Sequence, residues 1–550
     1  MKKLYILISL MFIAASGFAQ TSNWLWAKSA GKMSMDGAYS VAVDSSGNTY
    51  VAGAFRSPII TFGSFTLINN DITGQSTDLF LAKYDANGNV LWAKSAGGVD
   101  YDEAFSVAVD AIGNIYIAGY SGSFTFGLSI LTGGVFLAKF DLNGNALWAK
   151  CAVGGGTSEA WSVALDETGN AFLTGYFESK TITFGSYTLT NADSTNTADF
   201  FLVKYNSSGN VLWAKSASGK NTEQPYSITT DASGNTYITG SFNSSTLRFD
   251  SVNIINVDTT GNSTDLFFVK YDSSGNVLWV KSAGGIGDDG GTSVAADILG
   301  NIYITGRFMS PAFIFDSDTL INTGWEDLFI AKCDTNGNIF WIKSATGSQD
   351  DWPTSVAVDN LGNAYLAGWY TSPVLSFGIN TLTNVSFGLN SDIFLAKYDI
   401  NGIALWAKSA GGINSDKATS IAVDSSGNIF LTGYFASPSL IFSPYTLTNA
   451  DSTGSTYDVF LAKFGIGTGI NEWNNPKSIS IFPNPATENL SIETPEKATI
   501  EILNIQGQII KTINTADKQT SIDVSNLSSG VYIIKAKTDR GVAVKKFIKE

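Results

Sequence analysis

Apolar and polar residues alternate with a period of two through most of this chain, in short runs broken by glycine-containing turns. The run "SVAVD" at 40–44 passes through a polar turn into "NTYVAGAF" at 48–55. Further on, "DLFLAKYD" at 78–85 leads through another turn to "NVLWAKSA" at 89–96. Each run alternates or is rich in Val, Ile, Tyr, Phe and Trp, which predicts four β-strands and no helix. The turns carry their own chemistry. Asp44 is placed to accept from the backbone two residues on, and Gly47 supplies the left-handed conformation that closes a hairpin with a bulge. Asp85 and Gly88 repeat the arrangement.

The first hairpin, "DSSGNTYVAG", returns as "DAIGNIYIAG", "DETGNAFLTG", "DASGNTYITG", "DILGNIYITG", "DNLGNAYLAG" and "DSSGNIFLTG". The last strand returns around Trp26, Trp92, Trp148, Trp213, Trp279, Trp341 and Trp406, spaced by 66, 56, 65, 66, 62 and 65 residues. Four strands in a unit of this period predict a propeller blade. The ends of the repeat complement one another. "NWLWAKSA" at 23–30 is a last strand with nothing before it, and "DVFLAKFGIG" at 458–467 ends a unit that lacks that strand. The expected fold is therefore all-β: a seven-bladed β-propeller over residues 20–465, closed by its N-terminal strand, then a small Ig-like β-sandwich. An open solenoid would need polar caps instead. The propeller is expected to be monomeric. Tryptophans repeated in every unit are expected to pack between blades, whereas Trp161, Trp325, Trp352 and Trp369 fall outside the repeat and are better candidates for surface binding.

The repeat stops near residue 465. Residues 466–476 read as a linker, rich in Gly and Asn and closed by Pro476. Residues 477–550 hold four further alternating stretches, which predict the sandwich. Charge changes at the same place: from Pro476 onward there are ten basic and eight acidic residues, in a chain of net charge −15. The acidic body repels phosphate backbones, which argues against nucleic acid as a partner. The chain of 550 residues contains no histidine, removing the commonest general base and imidazole metal sites. No cofactor or metal is expected.

Residues 1–19 have a basic start at Lys2 and Lys3, an apolar run, and Gly17-Phe18-Ala19 before the expected cleavage after Ala19. This is a secretory signal peptide, too short to span a membrane, and no later segment reads as transmembrane. Export would permit a disulfide, yet Cys151 and Cys333 fall three units apart and are expected to be buried, separate thiols.

Candidate chemistry centres on acids. Four residues before each unit's serine stand Asp36, Asp102, Glu223, Asp289, Asp351 and Asp416, with Glu159 taking this place in the third unit. If "SVAVD" is the inner strand, these seven carboxylates form an acidic rim at one mouth of the channel, a binding site for a cationic or hydroxyl-rich ligand. The competing expectation is that each caps its own loop by bonding backbone amides. Adjacent acids at Asp288/Asp289 and Asp350/Asp351 do not have the fixed separation a glycosidase needs. Arg56, Arg248 and Arg307 sit at unmatched places in the repeat. No catalytic residue is assigned.

Together the "VAVDxxGNxYxxG" and "LAKYDxxGNxLWAK" strings resemble the SBBP-type bacterial β-propeller repeat over about residues 24–465. That resemblance implies an extracellular propeller and no common activity. "TFGSFTL" and "VAGAF" are similar to the FG-GAP propellers of integrins, but the turns here offer one carboxylate each, too few for those calcium loops. The C-terminal stretch resembles the type A C-terminal sorting domain of the type IX secretion system of Gram-negative bacteria. The matching residues are Pro483, Asn484 and Pro485, Gly507, Leu527, Gly530, Val531 and Tyr532, and Lys545, Lys546 and Phe547. This implies passage through the periplasm, the secretion machinery as partner, and a secreted or outer-surface destination. Asp193-Ser194-Thr195, Asp258-Thr259-Thr260 and Asp451-Ser452-Thr453 resemble the O-glycosylation acceptor of bacteria using that route, with Ser194, Thr259 and Ser452 as acceptors. The expected function is non-enzymatic binding or adhesion to an unknown protein or glycan. The alternative is a secreted polysaccharide hydrolase or lyase using rim carboxylates.

Overall fold

The computed structural model describes residues 22–126, 129–154, 156–192, 197–386, 388–466, 479–494, 497–504, 508–515, 519–538 and 541–550. Two compact units divide the chain near residue 465. The expected signal peptide, most of the linker, Ser194 and Gly507 lie outside the described residues.

Among the described residues, the larger unit holds seven four-stranded antiparallel sheets, with smaller sheets beside them. In sheet 1 the chain runs Asp36–Val43, Thr49–Phe55, Asp78–Tyr84 and Val90–Ala96, each strand pairing with the next. Sheets 2 to 6 follow the same order, starting at Glu103, Ser158, Glu223, Asp289 and Asp351. Sheet 7 holds Asp416–Val423, Ile429–Phe435 and Asp458–Ile466, and its fourth strand is Ser22–Ala30 from the start of the chain. The turn chemistry is as the sequence implies: Gly47 has φ +78, and its N–H donates to Asp44 O at 2.9 Å. Asp44 Oδ1 accepts from the amides of Ser46 and Asn48, both at 2.9 Å.

The first strands of successive sheets touch in sequence from sheet 1 to sheet 7, and sheet 7 touches sheet 1. Seven equivalent hydrogen bonds tie them. Ser40 Oγ accepts from Val107 N–H at 3.0 Å, and the pattern continues through Ser106, Ser162, Ser227, Ser293 and Ser355. The seventh bond runs from Val41 N–H to Ser420 Oγ at 3.2 Å. At the outer edge, Trp26 Nε1 donates to Ala86 O at 3.2 Å, and Trp92 donates to Leu142 O at 3.3 Å. The repeated tryptophans are thus interface groups: Trp148, Trp213, Trp279 and Trp341 likewise reach the turn of a neighbouring sheet, and Trp406 packs on Phe464 of sheet 7 at 5.0 Å.

The "TFGSFTL" stretch is a small hairpin of its own, Ile59–Phe62 against Phe65–Ile68. Ile60 and Phe62 are fully buried, and Phe62 packs on Phe80 at 4.9 Å. Sheet 2 lacks it because its middle strands run on as Ile115–Phe126 and Ser129–Phe140. Cys333 is buried, with its thiol pushed up to about 12 by burial; Cys151 is only half-buried, contrary to expectation.

The smaller unit has a three-stranded sheet (Ser480–Phe482, Asn489–Glu493, Gln519–Asp523) and a four-stranded sheet (Ile509–Asn514, Thr499–Leu503, Gly530–Thr538, Gly541–Lys549) around a core of Leu490, Ile492, Ile500, Ile502, Ile534 and Phe547. Asn484 Oδ1 accepts from Ile548 N–H at 2.9 Å, so Pro483-Asn484-Pro485 is tied to the terminal strand carrying Lys545 and Lys546. Tyr532 stacks on Phe547 at 5.5 Å, and its hydroxyl donates to Ser528 O.

Candidate functional site

The repeated acids do not form an exposed rim. Asp36, Asp102, Glu223, Asp289, Asp351 and Asp416 are each at most 1% exposed. Asp36 accepts from the amides of Lys32, Arg56 and Ser57 at 3.0 Å and from Ser57 Oγ at 2.7 Å. Ser310, Ser372 and Ser437 bond Asp289, Asp351 and Asp416 in the same way, at 2.6, 2.8 and 2.8 Å. Ser244 bonds Glu223, and in sheet 2 Gly122 N–H bonds Asp102 at 2.7 Å. Loop amides that would otherwise be buried without partners need an acceptor, and a buried carboxylate supplies it. Glu159 is not the seventh member. Ser158 pairs with Phe177 as Asp36 pairs with Phe55, so Glu159 lies one residue on, where a strand turns its other face.

Each of these acids meets a second one from the preceding sheet, at the start of its third strand. The pairs are Asp78/Asp102, Asp199/Glu223, Asp265/Asp289, Asp327/Asp351, Asp392/Asp416 and Asp458/Asp36. Gly97 shows the closeness: a Cβ there would fall 2.3 Å from Asp78 Oδ1 and 2.9 Å from Asp102 Oδ2. Burial first, then the neighbouring charge, drives these carboxyls up, to about 7 for Asp102, Asp351 and Asp416. Between sheets 2 and 3 the two places are taken by Gly134 and Ser158, so both acids of that pair are absent together.

The position one residue further along the same inner strands does not repeat. That position holds Gly37, Glu103, Glu159, Gln224, Gly290, Trp352 and Lys417, a different environment in nearly every sheet. Two residues beyond stand Tyr39, Phe105, Trp161 and Tyr226 in sheets 1 to 4. Their rings form a continuous chain across four sheets, at 5.7, 5.5 and 5.6 Å. These contacts between successive inner strands place both positions on the face where the seven strands converge.

The opposite side of this face is cationic and aromatic. Trp352 and Trp369 stack at 5.5 Å; Arg307 lies 4.2 Å over Trp352 and Lys417 3.9 Å over Trp369. Arg307 also pairs with Glu326. Glu103 and Glu159, both half-buried, are held above the usual carboxylate range by burial first; the charge of Glu159 adds to this at Glu103, and that of Glu178 at Glu159. Of the unmatched tryptophans, Trp161, Trp352 and Trp369 belong to this face, while Trp325 is 69% exposed in the loop beside it. What sets this face apart in the sequence is the inner-strand position that fails to repeat.

Asp258 and Asp451 cap their loops by accepting from Thr260 and Thr453, which leaves Thr259 and Ser452 exposed at the turns between. Among the described residues, no three of Cys, Asp and Glu gather to hold a metal ion, and no helix is long and apolar enough to cross a membrane.

Comparison with known proteins adds a family for each unit. Residues 480–550 match the family described as secretion system C-terminal sorting domain. Residues 341–369 and 405–434 match the family described as β-propeller repeat. An uncharacterized WD repeat-containing protein of Acanthamoeba polyphaga mimivirus is 26% identical over 82% of this chain. The regulatory protein FlaEY of Caulobacter vibrioides is 28% identical over 28% of it. The chain spans 39% and 16% of these relatives' lengths. Among solved structures, Sqt1 from Chaetomium thermophilum aligns over 81% of this chain and 100% of its own, at 9% identity and TM-score 0.41. PorZ, a surface component of the type-IX secretion system of Porphyromonas gingivalis, aligns over 95% of this chain and 75% of its own, at 11% identity and TM-score 0.23. The sorting-domain match indicates secretion to the cell surface.

Proposed function

We propose that the seven sheets are the blades of one closed propeller, completed by the N-terminal strand, and that this secreted protein binds a glycan or protein through the face where the inner strands converge. One observation carries the reading. The inner strands repeat their buried residues almost unchanged while the converging position runs Gly37, Glu103, Glu159, Gln224, Gly290, Trp352, Lys417. Packing explains the repetition, and a ligand with its own asymmetry gives a reason for the variation. Half-buried Trp and Tyr beside Lys, Arg and Glu is also the composition of recognition hot spots. The chain is read as non-enzymatic, delivered through the periplasm after signal-peptide cleavage, then handled by the type IX machinery through residues 477–550. Thr259 and Ser452, exposed in capped loops, fit O-glycan acceptors, and intact mass of native protein without added hexose would remove that part.

The test is binding of the full chain to arrays of polysaccharides and surface glycoproteins, with reducing-end release followed in parallel. Saturable binding without turnover, weakened about tenfold or more by Trp352→Ala, is the expected outcome. A second reading, polysaccharide hydrolysis, draws on Glu103 and Glu159, neighbouring carboxyls held above their usual range. Product release abolished by Glu159→Gln would establish it in place of the first.

A further inference from the structure

We infer that the cavity over Gly37, walled by Tyr39, Tyr101, Tyr434, Tyr457 and Glu103, receives a quaternary ammonium group. This inference rests on the converging face being the recognition face, and names a ligand class for one part of it.

The cavity exists because sheet 1 has glycine where its neighbours have Glu103 and Lys417. It measures about 290 Å³ and is bounded by sheets 7, 1 and 2. That volume sits at the lower end of the range for small-ligand sites. Tyr434 and Tyr457 meet edge to face at 5.1 Å and 78°, forming a corner rather than a flat platform. Tyr39 folds across the floor, with its ring 3.0 Å from where a Cβ on Gly37 would stand. The negative face of a tyrosine ring attracts an organic cation, and four such rings line this space.

Charge agrees with shape. Glu103 accepts one long bond, from Thr77 Oγ1 at 3.3 Å, and has no cation paired with it among the described residues. Its nearest charged neighbour across the inner strands is Glu159, another acid. Arg56 also lines the cavity, with its guanidinium donating through Nε and Nη2 to the carbonyls of Gly74 and Gln75, at 2.6 and 3.2 Å, and Lys417, at the matching position of sheet 7, lies over another ring, that of Trp369. Asp36, also in the wall, is fully engaged by its own loop.

A primary ammonium carries three N–H donors and needs as many acceptors. The acceptors of this wall are the Glu103 carboxylate and tyrosine hydroxyls, which serve one or two such donors, set beside several rings. A trimethylammonium group has no donors and a soft, spread charge, which the rings match and a sugar ring does not. The chemistry is shared by free choline-type solutes and by phosphocholine headgroups.

Titration of the full chain with choline, and with 3,3-dimethylbutan-1-ol as the uncharged molecule of the same shape, tests this. The expected result is saturable choline binding about tenfold or more tighter than the alcohol. Glu103→Gln should weaken choline about fivefold or more and leave the alcohol unchanged; Tyr457→Phe, which keeps the ring, should retain both. Phosphocholine vesicles that sediment the protein, and lose it on adding free choline, assign the source to headgroups; choline binding without vesicle capture assigns a free solute. No saturable choline binding, or equal affinity for the two molecules, overturns the inference. Trp352→Ala separates the two readings: it should weaken array binding about tenfold or more and leave choline binding intact.

Discussion

Gly53, the last residue of the repeated "YVAG", shows how much a single position decides. A Cβ there would lie 2.1 Å from the carbonyl oxygen of Gly37 and 2.8 Å from Ala38 Cα, where the inner strand bulges between Ala38 and Ser40. Two backbones approach closely and neither can give. Gly53→Ala is expected to cost about 3 kcal/mol in urea unfolding. Gly378→Ala, at φ +60 with nothing near the new methyl, should cost only about 1 kcal/mol. Equal losses at the two positions would mean that backbone conformation, rather than the bulge contact, explains the repeated glycine. The same scale corrects the acids. "D" four residues before serine looks identical whether the side chain faces water or its own loop amides, and only the position of Ser57 reveals which.

Within the sheets, the paired acids at blade contacts make stability depend on pH. Unfolded aspartates release their protons near about 3.9. In the fold, Asp102, Asp265, Asp351 and Asp416 hold theirs to about 7, and Asp289, Asp392 and Asp458 to about 6. The folded chain therefore binds more protons than the unfolded one between these limits. Its advantage is complete below about pH 4 and is lost as pH rises through 6 to 7. The thermal midpoint should fall between pH 5 and pH 8. The paired substitution Asp78→Asn with Asp102→Asn removes one such charge pair while keeping an acceptor for Asn70 and Gly98. It should stabilise the protein by about 1–3 kcal/mol at pH 8 and by little at pH 5. A midpoint that is flat or rises from pH 5 to 8 would show that these carboxyls are ionised throughout.

For the whole propeller, the prediction concerns closure. Val41 N–H to Ser420 Oγ is chemically the same bond as Val294 N–H to Ser227 Oγ, at 3.2 and 3.1 Å. The first joins residues 379 apart and the second residues 67 apart. If the ring is closed, Ser420→Ala and Ser227→Ala should each lower unfolding free energy by about 1–3 kcal/mol, since either leaves a buried amide without an acceptor. A negligible effect at Ser420 alone, measured by urea unfolding, would mean that the seventh sheet is not held to the first.

Much of this architecture was legible in the sequence because its causes are local or periodic. Alternation set the strands, Asp44 and Gly47 the turns, and the recurrence of Trp26 through Trp406 the unit. The break at residue 465 and the Pro483-Asn484-Pro485 and Tyr532 motifs set apart the second unit. What the sequence could not settle was which way each side chain points once seven inner strands are brought together. A strand exposes alternate residues to opposite faces, and a one-residue difference separates Ser158, buried at a blade contact, from Glu159 on the converging face. The repeated acids were drawn into the interior by amides that lie about 20 residues away, a contact no period reveals. The cavity over Gly37 needs Tyr434 and Tyr457, about 400 residues on, to stand beside it. Only closing distant chain segments onto one another decides that, because the site belongs to no single unit of the repeat.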